Sequence, residues 1–303
     1  MKVLKKILLP FLGVLVLAVL GGYIYFDQKF TPERNYLTVE NESGPIPLTW
    51  LGTEKNVLLL PIHFEDDTAT YYLQFDTGSP YTVFYSKSIK NIRQIFINQE
   101  IAKTSFYIGK TKITSDKFKI YNLGNDNNND SLKIIGTIGA DILENRKTII
   151  NFKENYIVLN LSKVPTQFQT KLFDFKFKKR KIIIRSLLNG KEEQFLFDSG
   201  TSAYELLTNK EVWEHLKLPN SKISIEKSRS WDKVLTAYTA NCNQKIQFSN
   251  HEIPLNNVTY VEGFSQVQYS MMKFSGMTGM LGNKFFLNNS LYIDCTQNKM
   301  GIE

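Results

Sequence analysis

"FLFDSGTS" at residues 195–202 repeats the pattern of "LQFDTGSP" at residues 73–80: an apolar strand end, then Asp, a hydroxyl residue, Gly and a second hydroxyl residue, 122 positions apart. Each copy puts an acid on a tight turn, because Gly admits backbone angles closed to other residues and lets a second stretch of chain approach. The two acids are Asp76 and Asp198. One such tripeptide arises by accident, but two in matching surroundings point to two carboxylates meant to meet.

The surroundings do match. "GTIGADIL" (residues 136–143) follows the first copy and "GMLGNKFF" (residues 279–286) the second. Asn151 then follows Gly139 by twelve positions, as Asp294 follows Gly282, and Asn155 and Asn298 continue the register. An internal duplication with a pseudo-twofold axis is the expectation. The longer second half also carries "TNKEVWEHL" (residues 208–216), where Thr208 and Glu211 have capping-box spacing and Val212, Trp213 and Leu216 recur at helical intervals, so a short helix is predicted.

A chain of 303 residues exceeds one ordinary core, so two domains are expected. Phe, Tyr, Ile, Val and Thr in short runs, punctuated by Gly, Asn and Asp, predict an all-β body. The net charge of +8 is densest in "FKFKKRKIIIR" (residues 175–185). Apolar residues interrupt that run in strand-like alternation, which predicts a solvated strand face, and no nucleic-acid partner is expected.

The first 26 residues stand apart. Lys2, Lys5 and Lys6 precede an uncharged apolar run from Ile7 to Phe26, and about 20 such residues span a bilayer. The expectation is an N-terminal transmembrane signal anchor over residues 1–26, with the N-terminus cytoplasmic and the body periplasmic or extracellular. A cleaved signal peptide, using the small residues between Ala18 and Gly22, is the alternative. Residues 27–55, with Pro32, Pro45 and Pro47, read as a juxtamembrane stalk. Residues 56–162 then form an N-terminal β lobe and residues 163–303 a C-terminal one. Cys242 and Cys295 are compatible with a disulfide in an exported body or with two buried thiols.

The chemistry follows from the paired loops. The hydroxyls of Thr77 and Ser199 can bond backbone across the pseudo-twofold axis, and those of Ser79 and Thr201 can bond the carboxylates. Facing carboxylates share one proton and titrate in two steps. Such a pair activates water against a peptide carbonyl, one member as base and the other as acid, with no metal or cofactor. His63, His215 and His251 lie far apart without HExxH spacing, which gives a zinc enzyme no support. "DNNND" (residues 126–130) lacks the Gly and Glu of a calcium loop and reads as a solvated turn. No nucleophile elbow, P-loop or dinucleotide fingerprint is present.

"FDTGS" and "FDSGTS" resemble the two catalytic loops of the pepsin-like, retropepsin-superfamily aspartic peptidases. The resemblance extends over nearly everything from Val57 to Glu303. It implies a single-chain, two-lobed acid-protease fold whose cleft takes an extended peptide, with Asp76 and Asp198 catalytic. Thr77, Gly78, Ser79, Ser199, Gly200 and Thr201 would support them, and Gly139 and Gly282 would thread beneath the loops. Tyr107 in "SFYIGK" is the nearest match to the family's flap tyrosine, and Val83 stands where the family has Trp. The implied activity is that of a monomeric aspartic endopeptidase acting on peptide or protein substrates. The alternative is a catalytically inactive pepsin-like module binding an envelope or extracellular protein.

Overall fold

The computed structural model describes residues 2–125, 132–230, 233–249, 251–263 and 275–303, with side chains described from residue 15 onward and outside residues 228–233. The chain divides into two units, Met1–Arg34 and Asn35–Glu303. The first is helix α1 (Lys2–Lys29), along which the described apolar side chains stand exposed, Leu17 by 69% and Tyr23 by 66%. Among the described residues no helix is long and apolar enough to cross a membrane. The anchor expected over residues 1–26 rests also on residues 1–14, whose side chains lie outside the described ones.

The second unit is β-rich. Its first part carries β1 (Thr38–Glu40), β2 (Ile46–Pro47), β3 (Thr49–Leu51), β4 (Val57–Ile62), β5 (Tyr71–Phe75) and β6 (Val83–Tyr85), then the one-turn helix α2 (Ser86–Ile89). After it come β7 (Phe96–Asn98), β8 (Ile101–Ile108), β9 (Thr111–Tyr121), β10 (Ile134–Ile138), β11 (Lys147–Asn151) and β12 (Tyr156–Val158). The later part has β13 (Leu172–Lys178), β14 (Lys181–Leu188), β15 (Lys191–Phe197), β16 (Leu206–Thr208) and helix α3 (Lys210–Leu216). It ends with β17 (Ser224–Ser230), β18 (Lys233–Phe248), β19 (His251–Glu262), β20 (Gly279–Leu281), β21 (Ser290–Asp294) and β22 (Lys299–Ile302).

Among the described residues these strands form two sheets. One runs β3-β4-β5-β10-β6-β9-β8-β7, with β1 paired to β9. The other runs β17-β18-β19-β16-β20-β15-β14-β13-β22-β21-β11-β12-β2. Two placements matter for the site. Strand β10 lies between β5, to which it is parallel, and β6, to which it is antiparallel. Strand β20 lies in the same way between β15 and β16.

Side-chain alternation sets these strands in place. Leu73 and Phe75 of β5 and Phe195 and Phe197 of β15 are fully buried, each face recurring every second residue. Burying one such side chain contributes about 1.5–3 kcal/mol, so each strand is anchored at the residue just before its Asp. Phe84, Phe106 and Phe118 pack as an aromatic trio in the first sheet's core, and Phe197 meets Phe286 edge-on at 5.4 Å in the second.

Three sequence expectations are revised, and the alternative left open for the cysteines is settled. The stretch read as a stalk, residues 27–55, supplies β1, β2 and β3 from residue 38 on, and Ile46 and Leu48 are buried. Pro47 fits there because β2 closes the end of its sheet, where a missing N–H breaks no ladder. Helix α3 is capped by Asn209, whose side chain accepts from the Val212 N–H. Thr208 instead ends β16 and donates to the Thr278 carbonyl. Cys242 and Cys295 are separate buried thiols, and burial pushes Cys242 up to about 12. The basic run keeps Lys176 and Lys178 exposed on β13, but Arg180, in the turn that follows, is buried. The "DNNND" stretch lies outside the described residues.

Candidate active site

Both Asp residues cap their own turns. The Asp76 carboxylate accepts the N–H groups of Gly78 at 2.8 Å and Ser79 at 3.1 Å. Asp198 accepts the N–H of Gly200 at 2.9 Å. The backbone N–H of Asp76 donates to Ile138 and that of Asp198 to Leu281, both at 2.9 Å, so each loop rests on the strand beside it.

The loops then exchange hydrogen bonds. Thr77 Oγ1 donates to the Phe197 carbonyl at 3.0 Å and accepts from the Ser199 N–H at 3.0 Å. Ser199 Oγ donates to the Phe75 carbonyl at 2.9 Å and accepts from the Thr77 N–H at 2.9 Å. Neither side chain is exposed. Replacing Thr77 by Val leaves the Ser199 N–H buried without its acceptor and takes one donor from the Phe197 carbonyl, so Thr77→Val is expected to lower stability by about 1–3 kcal/mol in urea unfolding.

This exchange brings the carboxylates together. A Cβ added at Gly78 would lie 2.5 Å from Asp198 Oδ1, and one added at Gly200 would lie 2.5 Å from Asp76 Oδ1. Each acid therefore packs on the other loop's glycine, close enough for the charge of Asp76 to act on Asp198. Burial, and then the Asp76 charge, push Asp198 up to about 7, against the opposing pull of Lys181 and the Gly200 N–H.

Beneath the loops, Gly139 crosses the backbone of Tyr81 and Gly282 crosses the carbonyls of Thr201 and Tyr204, leaving no room for a side chain. The hydroxyls of Ser79 and Thr201, expected on the carboxylates, go elsewhere. Ser79 donates to the Tyr81 carbonyl and Thr201 to the Asp198 carbonyl, because the backbone N–H groups already fill the inner face of each carboxylate. Tyr107 lies in β8 one pair from the Ile108–Thr111 end of the β8–β9 hairpin and exchanges both backbone hydrogen bonds with His63 on its other side.

Sequence reasoning passed over four residues. Asp141 accepts from the Thr82 N–H and hydroxyl, both at 2.7 Å, and ties the chain after Gly139 to the first loop; burial raises it to about 6. Tyr85 shares a 2.6 Å hydrogen bond with Thr137, and burial, aided by the Asp76 charge, raises its phenol. Arg180 lies in the two-residue turn between β13 and β14, and Lys181 follows it as the first residue of β14, paired with Lys178. Lys179 and Arg180 occupy the left-handed region at φ 52° and 58°, a place more often given to Asn or Gly.

That unusual turn carries Arg180 into the first loop. Its guanidinium pairs with Glu144 at 3.1 Å, donates to the Pro80 carbonyl at 3.1 Å, and lies 5.3 Å from the centre of the Tyr81 ring. The Glu144 side chain is 32% exposed, which places the pair at the weaker end of buried ion pairs. Arg180→Met is expected to destabilise the fold by about 2–3 kcal/mol, read by thermal unfolding.

No protein-family model matches the chain, and no curated protein matches it. The functional reading therefore stands on the two loops. Among the described residues no group of three or more His, Cys, Asp or Glu side chains could hold a metal ion.

Proposed function

We propose that the chain is a membrane-anchored aspartic endopeptidase in which Asp76 and Asp198 activate a water against a peptide bond. The observation that carries this is the reciprocal seating of each carboxyl on the other loop's glycine, held by the Thr77–Ser199 exchange. A turn that served only its own loop would need no such pairing.

The chemistry is that of a shared proton. Asp76, as the carboxylate, takes a proton from the attacking water while Asp198 gives its proton to the substrate carbonyl oxygen. The water oxygen thereby joins the carbonyl carbon and a neutral tetrahedral diol forms. Its collapse breaks the C–N bond, returns one hydroxyl proton to Asp198, and sends the proton held by Asp76 to the leaving nitrogen.

The finer fold reading belongs with this proposal. Two related lobes, over residues 56–162 and 163–303, are supported by the matching places of β10 and β20 and by the short helical turns that follow them, Ala140–Leu143 and Asn283–Phe286. Asn155 and Asn298, at φ 61° and 56°, support it as well. Both Asp loops come from one chain, which favours a monomer. The anchor and a body outside the cytoplasm rest on Lys2, Lys5 and Lys6 ahead of the apolar run, and on the exposed apolar side chains of α1, which lipid would cover.

The test is cleavage of a mixed peptide library by the body from residue 27 on, across acid to weakly alkaline pH. Asp198 holds the shared proton below about 7 and loses it above. Cleavage is expected to fall as pH rises through about 7, when the shared proton is lost. Folded protein that cleaves nothing at any pH would reassign the cleft to binding.

A further inference from the structure

We infer that Lys181 makes the cleft select acidic side chains beside the scissile bond, its ammonium serving as the counter-charge for a substrate carboxylate. This rests on the reading of the cleft as a peptide site. Lys181 opens β14, yet it reaches the first Asp loop and donates to the Gly78 carbonyl. Gly78 is the residue that packs on Asp198. The ammonium is thus fixed within one residue of the reacting centre.

Its partners leave it available for a carboxylate. Neighbouring Arg180 is neutralised by Glu144. Lys181 has a neutral carbonyl for its hydrogen-bond partner; its charge also acts on Asp198, but among the described residues no carboxylate is in ion-pair contact with it. An ammonium has three donors, so two remain after that bond. The side chain is half-buried, which weakens screening by solvent.

The dyad's own negative charge works against an acidic substrate but does not cancel the attraction. Coulomb energy falls as the inverse of distance, so a carboxylate about 3 Å from the ammonium gains about twice what it loses to a dyad charge about 6 Å away. Successive residues of an extended peptide are spaced about 3.3 Å, which places the side chains flanking the scissile bond within reach of a group seated on Gly78. The chain, with a net charge of +8 over its full length, is basic and draws acidic peptides.

The experiment uses peptide pairs that differ only by Asp or Asn within two positions of the scissile bond, as cleavable substrates and as non-cleavable statine analogues. Calorimetry gives binding and turnover gives kcat/KM, for the wild-type protein, Lys181→Gln and Lys181→Glu. The wild-type protein is expected to favour the acidic member by about fivefold, roughly what one partly screened charge pair supplies. Lys181→Gln, which keeps a donor for the Gly78 carbonyl without the charge, should abolish the preference, and Lys181→Glu should reverse it. A wild-type protein without preference, or a preference that survives Lys181→Gln, overturns the inference, as does failure of the wild-type protein to bind any peptide of the set. The binding arm needs no turnover. A Lys181-dependent preference in a protein that cleaves nothing upholds the inference while rejecting the hydrolase.

Discussion

On the proposed mechanism, Asp76→Asn and Asp198→Asn are each expected to reduce cleavage by about a thousandfold or more, because either change removes one half of an acid–base pair that must hold a single proton between two carboxyls. An amide keeps the shape of each loop: its carbonyl oxygen can still accept the N–H of Gly78 in one case and of Gly200 in the other. The loss is therefore chemical and not structural. Stability separates the two explanations. The wild-type Asp198 is raised to about 7, whereas an Asp in an unfolded chain titrates near about 3.9. A group raised on folding contributes stability that is fully present below its unfolded value and is lost as pH rises through its folded one. An asparagine does not ionise, so Asp198→Asn should unfold at a temperature several degrees above the wild-type protein in weakly alkaline buffer. The gap should close as pH falls below about 4. Lost cleavage together with lowered stability throughout that range would instead describe a structural aspartate.

The elements legible in the sequence are those whose signal is local and has a single physical meaning. The buried ends of β5 and β15 alternate every second residue up to Phe75 and Phe197, and an Asp followed by a hydroxyl residue and Gly has few uses at such an end. Gly139 and Gly282 were visible for a similar reason, since a position where another backbone passes tolerates no Cβ. The hydroxyls of Thr77 and Ser199 could be assigned because they follow the Asp directly and their turns leave them one direction to face. Ser79 and Thr201 lie farther along the turn, where several carbonyls compete for the same donor, and the nearer backbone won. Strands β2 and β3, of two and three residues, are too short to carry a period, so Pro45 and Pro47 dominated their reading. Arg180 shows a different limit. Four consecutive basic residues look solvated on average, and only the turn between β13 and β14 selects which of them enters the protein.

The glycines of the two loops and the glycines beneath them are expected to behave differently on substitution, and that difference separates site from scaffold. Gly78 and Gly200 face carboxylate oxygens, the movable ends of side chains, so an alanine at either can be accommodated if the opposite Asp turns away. Neither glycine has the positive φ that would strain an alanine. The Thr77–Ser199 exchange holds the backbone of both loops and leaves the carboxyl as the part that moves. A shift of about 1 Å at a reacting group costs about a hundredfold in rate, so Gly78→Ala and Gly200→Ala should fold and yet lose at least that much kcat/KM. Gly139→Ala and Gly282→Ala present a harder contact. Their Cβ atoms would lie 2.4 Å from the Tyr81 carbonyl carbon and 2.2 Å from the Thr201 carbonyl oxygen, both backbone atoms that cannot rotate aside. These two should fail to fold, or unfold at markedly lower urea concentration. Circular dichroism beside a turnover assay reads all four, and equal loss of structure in both pairs would mean that the carboxylates are held no more closely across the loops than any other core contact.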